Sequence, residues 1–201
     1  TVTTHGPGVM GIIASQGVKA PLGIAPGARI FMVRVLDDNI LAEQSDILSA
    51  LDWLIVNVEG LRVVNMSIAG GPYVAPCEQG HAFNEGIALL AAAFREKGGL
   101  FVAASGNEGN PGALGSPACV SSVISVGAVN SLDQIEPYSD ADATLDLLAP
   151  GHAIRTCSSF GRVENLTGTS ATAPHVAGAI ALMLSANPDL SPDLIEMRLK
   201  R

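Results

Sequence analysis

Three polar residues with small neighbours have the side chains that nucleophilic catalysis requires. Ser170 lies at the predicted start of a helix. Free backbone N–H groups and the positive end of the helix dipole stabilise negative charge on a nearby oxygen there. A serine nucleophile also needs a base and an oxyanion donor, which histidine and asparagine can supply. His5 and Asn107 are of these types, although a helix cap, a surface histidine and a Gly-Asn turn are the simpler interpretations.

The segments around these residues resemble those of subtilisin-like serine proteases. GTSATAPHVAG at 168–178 resembles the segment of the family's nucleophilic serine, THGPGVMG at 4–11 that of its catalytic histidine, and AASGNEG at 103–109 that of its oxyanion asparagine. The resemblance implies that Ser170 attacks, His5 accepts the proton, and Asn107 forms an oxyanion hole with the Ser170 N–H. The family usually has threonine and then histidine where this chain has Pro7 and Gly8.

The resemblance also implies where a peptide or protein substrate binds. One set of residues matches the edge strand that pairs with the peptide backbone: Ser67, Ile68, Ala69 and Gly70. A second set matches the opposite wall and the floor of the pocket for the residue before the scissile bond: Ala104, Ser105, Gly106 and Gly115. These residues are small and uncharged, so the pocket is expected to be open and to favour large apolar or unselective residues over Arg or Lys. Pairing by strand addition favours unfolded or loop segments of the substrate.

The family's catalytic aspartate lies well upstream of the histidine, and only four residues precede His5 here. Asp37 and Asp38 follow a later predicted strand, where the resemblance implies a substrate-facing loop, so neither is nominated as a replacement. We therefore expect residues 1–201 to be one subtilisin-like peptidase domain that is incomplete at the N terminus and at the C terminus. A missing upstream segment with the catalytic Asp is the expected partner, and the chain alone is expected to be a poor enzyme.

Short apolar segments that alternate with helical patterns predict the fold. The strand-like runs are 29–36, 62–68, 100–104 and 122–129, and helical patterns include 47–58, 83–94 and 171–186. Because strands and helices alternate, we predict an α/β fold with a doubly wound, mainly parallel sheet and helices on both faces. Functional groups of such sheets gather where the strands end. A last helix is predicted with Ser191 as its cap and Pro192 in its first turn.

Composition excludes several classes of function. The chain has 201 residues, of which 48% are hydrophobic, and its net charge is -8. Lys and Arg form no extended basic patch along the sequence, so we expect no nucleic-acid partner. No apolar run reaches the roughly 18 to 20 residues that cross a bilayer, so we expect no membrane partner. The cellular location is left open.

No metal or other cofactor is expected. The family's calcium loop is represented by the short segment 16–20, which lacks oxygen-rich side chains. A cluster of three aspartates is interpreted as a solvated loop with one hydrogen-bonded carboxylate: Asp140, Asp142 and Asp146. The three cysteines are expected to be small buried side chains, with a Cys77–Cys119 disulfide as the alternative.

Two other functions are weighed against a peptidase. Gly6 to Gly11 satisfies the G-x-G-x-x-G pattern of dinucleotide-binding proteins, but the preceding residues are too few and too polar for a buried strand. The stronger alternative is an inactive protease-like module that serves in binding or assembly, which the missing aspartate favours.

Overall fold

The computed structural model describes residues 4–37 and 41–201. Its helices are α1 His5–Ala14, α2 Gln44–Asn57, α3 Ala82–Glu96, α4 Thr172–Ala186 and α5 Pro192–Leu199. Its strands are β1 Val63–Met66, β2 Gly70–Tyr73, β3 Leu100–Ala104, β4 Leu114–Ser116, β5 Ile124–Val129, β6 Leu147–Pro150, β7 Ile154–Cys157 and β8 Val163–Leu166. Short 3-10 turns cover Ser159–Gly161 and Thr169–Ala171.

A parallel sheet forms the centre of the molecule. Its strand order is β1-β3-β5-β6, and each neighbouring pair is parallel. Every residue of β3 and of β5 is buried, as their mostly apolar sequences predict for strands covered on both faces. The predicted α/β class with a mainly parallel sheet is confirmed.

Alternate residues of β3 supply the two cores, since successive side chains of a strand point to opposite faces. Phe101 packs with Phe94 of α3, with ring centroids 5.4 Å apart. Val102 belongs to the opposite core, together with Val126 of β5 and Ile180 of α4. The sheet therefore lies between α2 and α3 on one face and α4 and α5 on the other.

The predicted strand at 29–36 is wrong. This segment forms no strand in the structure, and Phe31 and Met32 are about half exposed, at 54% and 53%. A strand needs a neighbour for its N–H and C=O groups, and the free edge of β1 is separated from this segment by a cleft.

The predicted cap of the last helix agrees with the structure, whereas the expectation for the cysteines does not. Ser191 caps α5, where its Oγ accepts a hydrogen bond from the Leu194 N–H at 3.3 Å. The expectation of three unpaired cysteines is wrong, because Cys77 and Cys119 form a disulfide, as the alternative interpretation had it, and Cys157 is free. Among the described helices, none combines the length and apolar character that a bilayer crossing requires.

Candidate active site

The three proposed catalytic residues lie at one edge of the sheet. Asn107 follows β3, and Ser67, which contacts Ser170, directly follows β1. Because β1 and β3 are parallel, their carboxyl ends meet at the same edge. His5 and Ser170 line one cleft with Asn107. The fold therefore brings together residues that are 165 positions apart in the sequence.

Ser170 lies in the 3-10 turn Thr169–Ala171, which directly precedes α4, so it is not part of the α-helix itself. The turn is anchored below by Thr172, whose hydroxyl lies 3.0 Å from the Val126 carbonyl oxygen of β5. Ser170 Oγ donates to the Ser67 carbonyl oxygen at 3.3 Å, and Ser67 Oγ donates to the Ser170 carbonyl oxygen at 2.8 Å. The half-buried hydroxyl of Ser170 is thus held at the cleft.

Asn107 is exposed, and its side-chain amide is held through its oxygen, Oδ1. The Thr169 N–H donates to Asn107 Oδ1 at 2.8 Å, and the Thr169 hydroxyl lies 3.0 Å from the same oxygen. Within the described residues, Asn107 Nδ2 has no hydrogen-bond acceptor. Pinning Oδ1 in this way leaves the two N–H donors of the amide free to bind an external oxygen.

His5 is the first residue of α1 and is half-buried. Burial lowers the pKa of His5, because removal from water disfavours the charged ring. Within the described part of the chain, no hydrogen bond joins the ring to Ser170 and no carboxylate pairs with it. The ring therefore lies at the cleft, and no group among the described residues orients it.

The glycines of α1 explain the G-x-G-x-x-G pattern without a dinucleotide. A Cβ on Gly11 would lie 2.5 Å from Thr156 Oγ1 and 2.9 Å from the Cys157 backbone nitrogen. Thr156 Oγ1 also donates to the Gly8 carbonyl oxygen at 2.7 Å. Gly8 and Gly11 thus let α1 approach β7 closely, which fixes the helix that begins with His5.

The predicted substrate residues divide into two groups. Those that line the cleft with the catalytic candidates are Ser67, Ile68, Ala69 and Ala104. Those that lie outside its lining are Gly70, Ser105, Gly106 and Gly115. Gly115 donates its N–H to the Ser105 carbonyl oxygen at 2.6 Å, and a Cβ on Gly115 would lie 2.8 Å from the Ala69 Cβ. The floor residue is therefore in contact with both walls, and only glycine fits there.

Behind the catalytic candidates, the cleft continues as a slot between four elements. The cleft and the slot together have a volume of about 1580 Å³, and the slot is lined by β1, the segment 28–37, one face of α2 and residues 177–184 of α4. Trp53 of α2 is 49% exposed on this side and contacts the ring of Phe31, with centroids 5.9 Å apart. A strand in a covered sheet fills roughly 160 Å³ per residue from its rise, strand spacing and sheet thickness. The volume of the slot and the cleft together therefore corresponds to about ten residues of a strand.

The interpretation of the aspartate cluster as a solvated loop with one hydrogen-bonded carboxylate is wrong. Asp140 is completely buried at 0% exposure, and its Oδ1 accepts from the Asn110 N–H at 2.7 Å. Asp146 accepts from the Ser125 N–H at 2.9 Å and pairs with Lys200. Asp142 accepts from the Thr144 N–H at 2.7 Å. All three carboxylates therefore accept hydrogen bonds from backbone N–H groups, and Asp140 lies in the interior.

Thr169 is a candidate site residue that the sequence analysis did not name. It is completely buried, and its hydroxyl accepts from the Gly106 N–H at 3.3 Å as well as contacting Asn107. Its position next to Ser170 in the segment 168–178 could have indicated this role, since a buried threonine needs a hydrogen-bond partner.

Comparisons with known proteins agree on one family. The Subtilase family matches residues 1–201. Subtilisin E of Bacillus subtilis (strain 168) is 37% identical over 201 residues, which are 98% of this chain and 50% of that protein. Subtilisin of Bacillus pumilus is 36% identical over 201 residues, which are 98% of this chain and 69% of that protein. The chain therefore spans about half to two thirds of these curated relatives.

A solved structure shows the same fold. The crystal structure of a cold adapted subtilisin-like serine proteinase superposes with a TM-score of 0.85 at 32% identity. The match covers 98% of this chain and 67% of that one.

Proposed function

This chain belongs to the subtilase family, and we propose that it forms the larger part of the catalytic domain of a serine endopeptidase. The observation that carries the proposal is the shared cleft of His5, Asn107 and Ser170, with the Asn107 amide N–H groups left free by its contacts to Thr169. These are the three groups that acyl transfer from a peptide bond needs at one place.

The proposed reaction passes through an acyl-enzyme. Ser170 Oγ attacks the carbonyl carbon of the scissile bond while its proton moves to His5. The negative oxygen is held by Asn107 Nδ2 and the Ser170 N–H. His5 then gives the proton to the leaving amine, and a water molecule, deprotonated by His5, releases the acyl group and regenerates Ser170.

We propose a broad or apolar preference for the residue before the scissile bond. The walls and floor of the candidate pocket carry only small, uncharged side chains, and Ala104, Ser105 and Gly106 are buried. A lysine or arginine side chain would find no carboxylate among these residues. Extended peptide or protein segments are the proposed substrates.

We further propose that an upstream segment completes the domain. The slot beside β1 has the volume of a strand, and a parallel strand in it would end at the same sheet edge as β1 and β3. A carboxylate at the end of that strand would arrive beside His5, which has none among the described residues. The domain, 1–201, is in this proposal extended at both termini.

The missing partner of His5 also favours a second function, an inactive protease-like module that binds or assembles with another protein. Loss of the triad aspartate alone lowers turnover roughly 3 × 10⁴-fold, a value measured on subtilisin, a relative of this chain. The two functions differ in the reactivity of Ser170.

A fluorophosphonate probe separates the two functions. We expect it to label Ser170 slowly in the 201-residue chain and rapidly once the upstream segment is fused to it. Ser170→Ala should abolish labelling, whereas Ser49→Ala, on the exposed face of α2, should leave it unchanged. A fused protein that folds but never labels would favour the inactive module.

A further inference from the structure

Asp140 has a buried carboxyl oxygen without a partner. Its Oδ1 accepts from the Asn110 N–H at 2.7 Å and from Asn110 Nδ2 at 3.2 Å. Its Oδ2 is equally inaccessible to water but has no hydrogen-bond donor. An unsatisfied charged oxygen in the interior is costly, typically more than 1 to 3 kcal/mol. The protonation state of Asp140 therefore needs a physical explanation.

The orphaned oxygen points at the turn that carries Asn107. A Cβ built on Gly106 would lie 2.1 Å from Asp140 Oδ2 and 3.2 Å from Glu108 Oε2, so the two carboxyl groups converge on one point. Gly106 has a φ of +118° there, and its carbonyl oxygen accepts from the Asp140 N–H at 3.1 Å. Only glycine allows both the backbone conformation and the approach of the two carboxyl groups.

Glu108 is tied to Asn107 directly. Its Oε2 accepts a hydrogen bond from the Asn107 backbone N–H at 3.0 Å, and its side chain is exposed. Two carboxylates so close together repel each other, and the usual resolution is that they share one proton. The proton belongs on Asp140, because Asp140 is buried whereas Glu108 is exposed and already accepts an N–H.

We propose that Asp140 is a positioning residue, whose protonated carboxyl group donates from Oδ2 to Glu108 and so holds the turn that aims Asn107 at the oxyanion. The donated proton satisfies the orphaned oxygen and turns repulsion into attraction. Asn107 is then held by three hydrogen bonds, one from its backbone N–H to Glu108 and two to its Oδ1 from Thr169 N and Oγ1.

The titration of Asp140 agrees with this geometry. Burial is the largest cause that raises the pKa of Asp140, and the hydrogen bond with Glu108 and its charge raise it further, against the lowering effect of Asn110. Among the described residues, Glu108 is the one titratable group that acts on Asp140, and its other neighbours, Asn110, Ser139 and Gly106, are uncharged. Deprotonation, as the pH rises through the raised pKa of Asp140, would place two negative charges behind Gly106 and displace Asn107.

A direct titration tests the pair without requiring enzyme activity. In the 201-residue chain labelled with ¹³C at the aspartate carboxyl groups, one NMR signal should titrate well above the ordinary aspartate pKa, and Asp140→Asn should remove it. Glu108→Gln should lower that pKa, because it removes the neighbouring charge, while Asp142→Asn should not change it. The ¹⁵N side-chain amide signal of Asn107 should shift with the same pKa.

Two results would overturn the proposal. One is an Asp140 signal that titrates in the ordinary aspartate range. The other is a raised pKa that neither responds to Glu108→Gln nor appears in the Asn107 signal, which would mean that Asp140 only packs. The variant Asp140→Asn keeps a neutral donor and the Asn110 contact, so it is expected to fold.

The catalytic consequence rests on the proposed peptidase function and has its own test. In the fused, labelling protein, raising the pH through the pKa of Asp140 should slow acylation by up to about 100-fold with little change in KM, because loss of the oxyanion-hole asparagine slows subtilisin by roughly 100-fold or more. Asp140→Asn should remove this pH dependence. If the fused protein never labels, the proposed function fails. The NMR titration still tests whether Asp140 and Glu108 share a proton.

Discussion

Filling the slot beside β1 with a strand should stabilise the domain and change the surroundings of Trp53. The perturbation is to fuse, ahead of Thr1, the upstream segment of a subtilisin relative that carries the family's aspartate. The control carries the same segment with prolines in the middle of its strand, because proline cannot donate to a sheet and is excluded from central strands. Both proteins have the same length and nearly the same charge.

The magnitude follows from the side chains that the strand would cover. Phe31, Met32 and Trp53 are 54%, 53% and 49% exposed. Complete burial of such a side chain contributes roughly 1.5 to 3 kcal/mol, so covering the exposed half of each contributes roughly 1 kcal/mol. Their sum is roughly 3 kcal/mol, which in a domain of this size raises Tm by roughly 6 to 12 °C. The strand's own apolar side chains and its hydrogen bonds to β1 offset the cost of ordering it.

Two assays measure the effect. Thermal unfolding gives Tm, and the emission of Trp53, the single tryptophan of the sequence, reports burial at the slot. We expect a higher Tm and a blue-shifted emission in the fusion relative to the proline control. Equal Tm values together with unchanged emission would refute the assignment of the slot to a strand.

Two further predictions concern the site itself. Thr169→Val removes the hydroxyl next to Asn107 Oδ1 but keeps the backbone N–H, so fluorophosphonate labelling of the fusion should slow about five-fold, equivalent to about 1 kcal/mol for one neutral hydrogen bond. Thr169→Ser should label at the normal rate. Because burial lowers the pKa of His5, its NMR titration should fall below the ordinary value of about 6.5, and its contribution to stability should be complete above that pH and lost as pH decreases through the lowered pKa. A carboxylate brought by the upstream segment should raise the His5 pKa, whereas a pKa that the fusion does not change would mean that no carboxylate reaches the ring.

Strands were predicted correctly from the sequence where the neighbouring strands and helices that they pack against lie within the chain. β3 is apolar at every position, β5 has one polar side chain, Ser125, and both strands are covered by helices that the chain itself supplies, so their local pattern and their tertiary surroundings agree. Ser170 and Asn107 were proposed because their segments resemble those of subtilisin-like proteases, and both residues line the cleft with His5. Asp140 was misread because polar residues near a glycine-rich loop usually lie in water. Only the three-dimensional structure shows that Gly106 and Asn110 enclose it.

The wrong strand prediction at 29–36 has a different cause, and it supports the proposal that a strand fills the slot. The apolar pattern of this segment is as typical of a strand as that of 100–104, which forms β3. Strand formation depends on hydrogen bonds to a neighbour as well as on side chains, and here the space on the side of β1 is a cleft instead of a strand. Apolar side chains such as Phe31 and Met32 are therefore left half exposed. A strand inserted between this segment and β1 would give both edges a partner at once, so we expect hydrogen exchange at the backbone amides of 29–36 to slow in the fusion as well as at β1.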